Sequence, residues 1–184
     1  TDQRFICRLL VRMAQRYKVV VRLKGGDPTL FGRAAEELSA CRAAGIPVSI
    51  VPGVSAGFAA AAALGVSLTL RSVSRSVTFV TPAIARGGEA DEAWAQAAAA
   101  AETAVIYMGA AQAERVRREL IARGVPSDRP IALVESASSA REITLRGQLK
   151  DLPQLAGQLG DGPALIIVGE AVAEAQASAD AAAA

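Results

Sequence analysis

The chain has 184 residues, with 20 Lys plus Arg against 18 Asp plus Glu, two cysteines and no histidine. The missing imidazole excludes Ser-His-Asp and Cys-His relays, His-ligated zinc and a histidine pH switch, and a net charge of +2 is too small to imply a nucleic-acid or membrane partner by bulk electrostatics. A 52% hydrophobic share with 21% charged residues suits a globular protein with a real core.

The first periodic stretch, 3–16, reads as a helix with Arg4, Arg8, Arg12 and Arg16 on one face. Such a stripe is either a solvated face or a contact for something acidic. A β-branched run at 19–23 follows, then a helical pattern at 31–44, a strand pattern at 47–51 and a small-residue helix at 55–64. The polar, basic stretch 67–75 reads as a linker between two small lobes. Beyond it come strand patterns at 76–80, 103–107, 130–134 and 164–168, with helical patterns at 90–101 and 111–123. Gly45 and Gly124, each with a proline two residues on, mark helix stops. Strands apolar on both faces, alternating with helices, predict α/β architecture. No apolar run approaches the roughly 20 residues of a membrane helix. Cys7 and Cys41 stand apart without a CxxC pair, which predicts no thiolate metal site and a reducing, cytoplasmic setting.

The chemistry is concentrated where strands run into small residues. Arg22-Leu23-Lys24-Gly25-Gly26-Asp27-Pro28 places a glycine turn and a carboxylate beyond a strand end, where open α/β sheets bind ligands. Glycines there allow a ligand to approach the backbone, and Asp27 offers an acceptor for a hydroxyl or amine; an ordinary proline-capped turn is the plainer reading. Pro52-Gly53-Val54-Ser55-Ala56 repeats the arrangement, with Ser55 either a helix N-cap or a ligand contact. Tyr107-Met108-Gly109 ends another strand, Met108 being core filler or contact. Glu135-Ser136-Ala137 and Gly162-Pro163-Ala164 complete a set of backbone-rich turns.

The runs VVRLKGGDPTLFGRAAEEL, AAGIPVSIVPGVSA, SVTFVT, VIYMG, RGVPSDRPIALVES and GPALIIVGE resemble, in order and spacing, those of the tetrapyrrole methylases. Within that family the likeness is to the branch that methylates uroporphyrinogen III. The resemblance implies two αβα lobes with the amino-terminal one incomplete, divided as 1–70 and 71–172 with an Ala-rich tail at 173–184. It implies a homodimer, a tetrapyrrole substrate, and S-adenosyl-L-methionine bound in a folded form between the lobes, with S-adenosyl-L-homocysteine as product. Carried onto this chain, Gly25, Gly26, Asp27 and Leu30 hold the methionine and ribose part, while Ser55, Ala56 and Met108 contact the cofactor. The backbone of Ala137 faces adenine, and Ala164 belongs to the same group.

A polycarboxylate substrate calls for a basic surface, with Arg22, Lys24, Arg33 and Arg71 as candidates and Arg75 and Arg141 behind them. No residue is assigned a catalytic role and no metal is implied. The implied activity is methylation at C2 and C7 to give precorrin-2 for sirohaem and cobalamin. Another precorrin methyltransferase and a non-catalytic remnant of the fold are the alternatives. The chain departs from the family at Ala34-Ala35, where two glycines are usual, at Leu70 and Pro82-Ala83, where histidines are common, and in having no glycine-rich loop before the first helix.

Overall fold

The structure, a computed structural model, describes residues 2–83 and 92–173. The expected tail beyond Ala173 and the first residues of the 90–101 helix lie outside the described residues. Backbone contacts divide the chain into two compact units, one ending at Ala56 and one beginning at Gly57.

The first unit is built on two helices. In α1 (Gln3–Arg16) the Asp2 carboxylate caps the amino end, accepting from the Arg4 and Phe5 N–H groups at 2.7 and 3.2 Å. Its amphipathic pattern packs against α2 (Ala34–Ala43), whose first turn holds Glu36 and Glu37 and whose last turn holds Arg42, matching the helix dipole at both ends. The β-branched runs at 19–23 and 47–51, predicted as strands, join no ladder among the described residues. Val19, Val21, Leu23 and Val51 remain about four-fifths exposed, at 80%, 79%, 83% and 80%. Their composition favours extended backbone, but a strand exists only through a neighbour that completes its hydrogen bonds.

The second unit is a five-stranded sheet in the order β1-β2-β5-β3-β4, formed by β1 (Val77–Val80), β2 (Thr103–Tyr107), β3 (Pro130–Glu135), β4 (Ile143–Gln148) and β5 (Ala164–Gly169). β1 and β2 run parallel across the crossover helix α4 (Ala93–Ala100), and the remaining pairs are antiparallel. Period-two alternation sends Ile106, Leu133 and Ile166 to a core with α4, α5 (Ala113–Ala122) and α6 (Leu152–Ala156). Val105, Ala132 and Ile167 face the opposite core, with Ala60, Ala61 and Leu64 of α3 (Ala56–Leu64). Both faces are covered, as strands apolar on both sides require. β4 and α6 are additions to the predicted elements.

The stretch 67–75, expected as a linker, forms an anchored turn. Leu70 and Ser74 bridge to one another, and the buried Ser74 hydroxyl lies 2.7 Å from the Thr103 hydroxyl and donates to the Leu68 carbonyl at 3.3 Å. The buried Ser74 hydroxyl thus has its hydrogen-bond partners within the protein, as a buried polar group requires.

Candidate functional site

In the first unit the two glycine turns touch backbone to backbone. A Cβ on Gly53 would lie 2.5 Å from the Gly26 carbonyl oxygen and 3.1 Å from its carbon, so no side chain fits there. Gly26 adopts φ +76, with Ser55 and Ala56 next to it: its own Cβ position is 3.5 Å from the Ala56 nitrogen and 3.6 Å from the Ser55 Cα. Ser55 is buried and Ala56 exposed, Ser55 preceding α3 at the position an N-cap occupies. A Cβ on Gly25 meets nothing within 4 Å, so that stretch of backbone is open to approach.

Asp27 fastens the turns together. Its Oδ1 accepts from the Thr29 N–H at 2.8 Å and the Thr29 hydroxyl at 2.5 Å, and its Oδ2 accepts from the Gly53 N–H at 3.1 Å. The Thr29 hydroxyl, then the Thr29 and Gly53 amides, hold this carboxyl below the ordinary carboxylate range. A carboxylate has about four acceptor positions, so Oδ2 retains capacity for a ligand donor while the residue does its internal work. Leu30, half-buried, closes the same turn through its N–H to the Asp27 carbonyl at 3.5 Å.

The basic candidates beside this turn are held by carboxylates. Buried Glu37 accepts from Gln3 Nε2 at 2.9 Å, Lys24 Nζ at 3.0 Å and Arg22 Nε at 3.2 Å. Burial pushes its pKa up, but the hydrogen bonds from Gln3 and Lys24, the Lys24 charge and the Arg22 hydrogen bond prevail and leave it lowered. Arg33, at φ 55, makes a two-pronged pair with Glu36 at 2.8 Å on each prong. Arg71, in the second unit, is exposed and has no ion pair among the described residues. The sequence pattern assigned no role to Glu37 or Thr29; the Glu36-Glu37 doublet beside so many cations was the available signal.

In the second unit Met108, Ala137 and Ala164 gather at one end of the sheet. The register pairs Tyr107 with Leu165 and Glu135 with Ala164, which sets the carboxyl ends of β2 and β3 beside the amino end of β5. Met108 takes φ +55 and is 51% exposed, so it is not core filler. The Tyr107 hydroxyl accepts from the Gly57 N–H at 2.8 Å, and a Cβ on Gly57 would come within 2.9 Å of both that oxygen and the Phe79 ring. Ala137 sits between Ser136 and Ser138, both at positive φ, 51 and 64. The Ser136 N–H binds the Pro163 carbonyl at 2.9 Å and the Ser138 N–H binds Glu142 Oε2 at 2.6 Å, fixing this turn against the one before β5.

The siroheme synthase of Salmonella typhimurium is 47% identical over 171 residues, 93% of this chain and 37% of that protein. The chain therefore spans little more than a third of such relatives. A uroporphyrin-III C-methyl transferase from Thermus thermophilus, solved with S-adenyl homocysteine, matches with a TM-score of 0.80 and 34% identity over 94% of this chain and 75% of that one. A cobalt precorrin-4 methyltransferase matches with a TM-score of 0.80 and 28% identity, over 89% of this chain and 70% of that one. The family profile of the Tetrapyrrole (Corrin/Porphyrin) Methylases matches residues 1–153. Since that span takes in every turn described above save the one leading into β5, the chain belongs to the tetrapyrrole methylase family.

Proposed function

We propose that the chain provides the fold of an S-adenosylmethionine-dependent methyltransferase that converts uroporphyrinogen III to precorrin-2 by C-methylation at C2 and C7, toward sirohaem and cobalamin. The observation that carries this reading is the pair of interlocked glycine turns with an open Gly25 backbone and a carboxylate holding them in register. They offer backbone groups and one spare carboxylate acceptor, which suits the hydroxyls and ammonium of a nucleoside–amino acid conjugate better than a phosphate.

When bound, the cofactor supplies a methyl group already activated on a sulfonium, so the protein's part is chiefly to bring a pyrrole carbon into line with it. In this reading Gly25, Gly26, Asp27 and Leu30 hold the methionine and ribose part, Ser55, Ala56 and Met108 add contacts, and Ala137 and Ala164 receive the adenine. Arg22, Lys24, Arg33 and Arg71 face the substrate carboxylates. Glu37 and Glu36 keep three of these cations extended in fixed directions, which reduces the ordering needed when an anion arrives. Lobes meeting at residues 70 and 71, a homodimer and a cytoplasmic setting belong to the same proposal. The likeness to the cobalt precorrin-4 enzyme favours, as the second reading, methylation of a later corrin precursor.

Calorimetric titration with S-adenosylhomocysteine tests the reading. Saturable one-site binding is expected. A cooperative melt with no heat of binding would instead identify a non-catalytic remnant of the fold.

A further inference from the structure

Glu135 is a buried carboxylate, 4% exposed, that the proposed chemistry does not use. It ends β3, and its partners are backbone donors rather than a cation: Oε2 accepts from the Gly160 N–H at 2.7 Å and Oε1 from the Gly162 N–H at 2.5 Å. Burying a charge is costly unless it is well bonded, and a less costly residue would serve if the fold needed only a filled volume. What a carboxylate uniquely offers is two acceptor oxygens for two converging N–H groups.

Those bonds grip the segment that leads into Ala164, while the next residue, Ser136, opens the positive-φ turn that carries Ala137 and binds Pro163 through its N–H. The fit is close: a Cβ on Gly162 would run into the Ser136 hydroxyl and lie 2.5 Å from Glu135 Oε1. One side chain thus sets the spacing of the two backbone turns at this end of the sheet.

We infer that Glu135 is a positioning residue for recognition of the adenine ring: it holds the Ala137 and Ala164 turns at the separation from which their backbone groups read the base. This inference rests on the cofactor assignment proposed above. Glu135→Gln keeps the volume but turns an NH2 toward one of the two glycine N–H groups, so one donor is orphaned and the turns separate.

The test is calorimetry on the full chain and on E135Q, titrated with S-adenosylhomocysteine and with its inosine counterpart, which carries a 6-oxo group in place of the adenine amine. For E135Q we expect a retained cooperative melt, S-adenosylhomocysteine affinity lowered roughly tenfold, and a reduced preference over the inosine compound. The change in preference is something general loosening of the fold would not produce. Wild-type-like affinity and preference in E135Q, with the parent chain binding normally, would overturn the role of Glu135 and leave the cofactor assignment standing. A parent chain that binds neither compound overturns both. Should E135Q fail to melt cooperatively, Glu135→Asp, which keeps the charge but falls short of the glycine amides, decides by the same criteria.

Discussion

Two glycine substitutions in the first unit separate packing from ligand access. Gly53→Ala introduces a methyl group 2.5 Å from the Gly26 carbonyl oxygen and 3.1 Å from its carbon, against backbone that has no rotamer with which to yield. The turns must part, and the Gly53 N–H to Asp27 bond at 3.1 Å lengthens with them. Overpacking of this kind costs about 1–3 kcal/mol, and for a chain of 184 residues about 1 kcal/mol lowers the melting temperature by roughly 2–4 °C. A drop of roughly 2–12 °C is therefore expected in circular dichroism melts of G53A. Gly25→Ala, whose added methyl meets nothing within 4 Å, leaves the melt unchanged. In the proposed function that same methyl occupies ligand space, so G25A loses S-adenosylhomocysteine affinity while remaining as stable as the parent. A G53A protein that melts with the parent refutes the interlocked turns, and a G25A protein that binds like the parent refutes the open cradle.

The other expectations concern buried polar groups. Glu37→Gln leaves Lys24, only 12% exposed at its side chain, and Arg22 facing a neutral amide; with Arg22 itself 41% exposed, the expected loss is about 2–3 kcal/mol in urea denaturation. Because Glu37 has a lowered pKa in the folded chain, its stabilisation is complete above the unfolded carboxyl's range and disappears as pH falls through the folded value. The stability gap between parent and E37Q should accordingly hold near neutrality, begin to narrow as pH falls below the ordinary glutamate value of about 4.3, and close only below the lower folded value. Tyr107→Phe removes the acceptor of the buried Gly57 N–H and should cost about 1–3 kcal/mol in the same assay; an unchanged midpoint would mean that this bond contributes nothing.

The parts of the fold legible from sequence were those in which local pattern and tertiary role agree. β2, β3 and β5 are apolar on both faces and are covered on both, so their periodicity stated their burial. The runs at 19–23 and 47–51 have the same composition without a ladder, because pairing is a property of two segments and composition describes one. β4 was missed because Arg146 and Gly147 interrupt its pattern; the Arg146 guanidinium turns inward, donating to the Leu64 and Val172 carbonyls at 2.6 and 2.7 Å. At the site, the glycines and Asp27 were visible as a turn, but the clasp from Asp27 to Gly53 spans 26 residues and obeys no spacing rule. The grip of Glu135 on Gly160 and Gly162, 25 and 27 residues on, was hidden for the same reason.

Methyl transfer to a tetrapyrrole is tested by one incubation. The protein is mixed with uroporphyrinogen III and S-adenosylmethionine labelled at the methyl group, and the tetrapyrrole is recovered for mass spectrometry. The expected result is label in the macrocycle, with two methyl groups added at completion and S-adenosylhomocysteine formed in step. Recovery of unmodified uroporphyrinogen from a protein that binds the cofactor would contradict it.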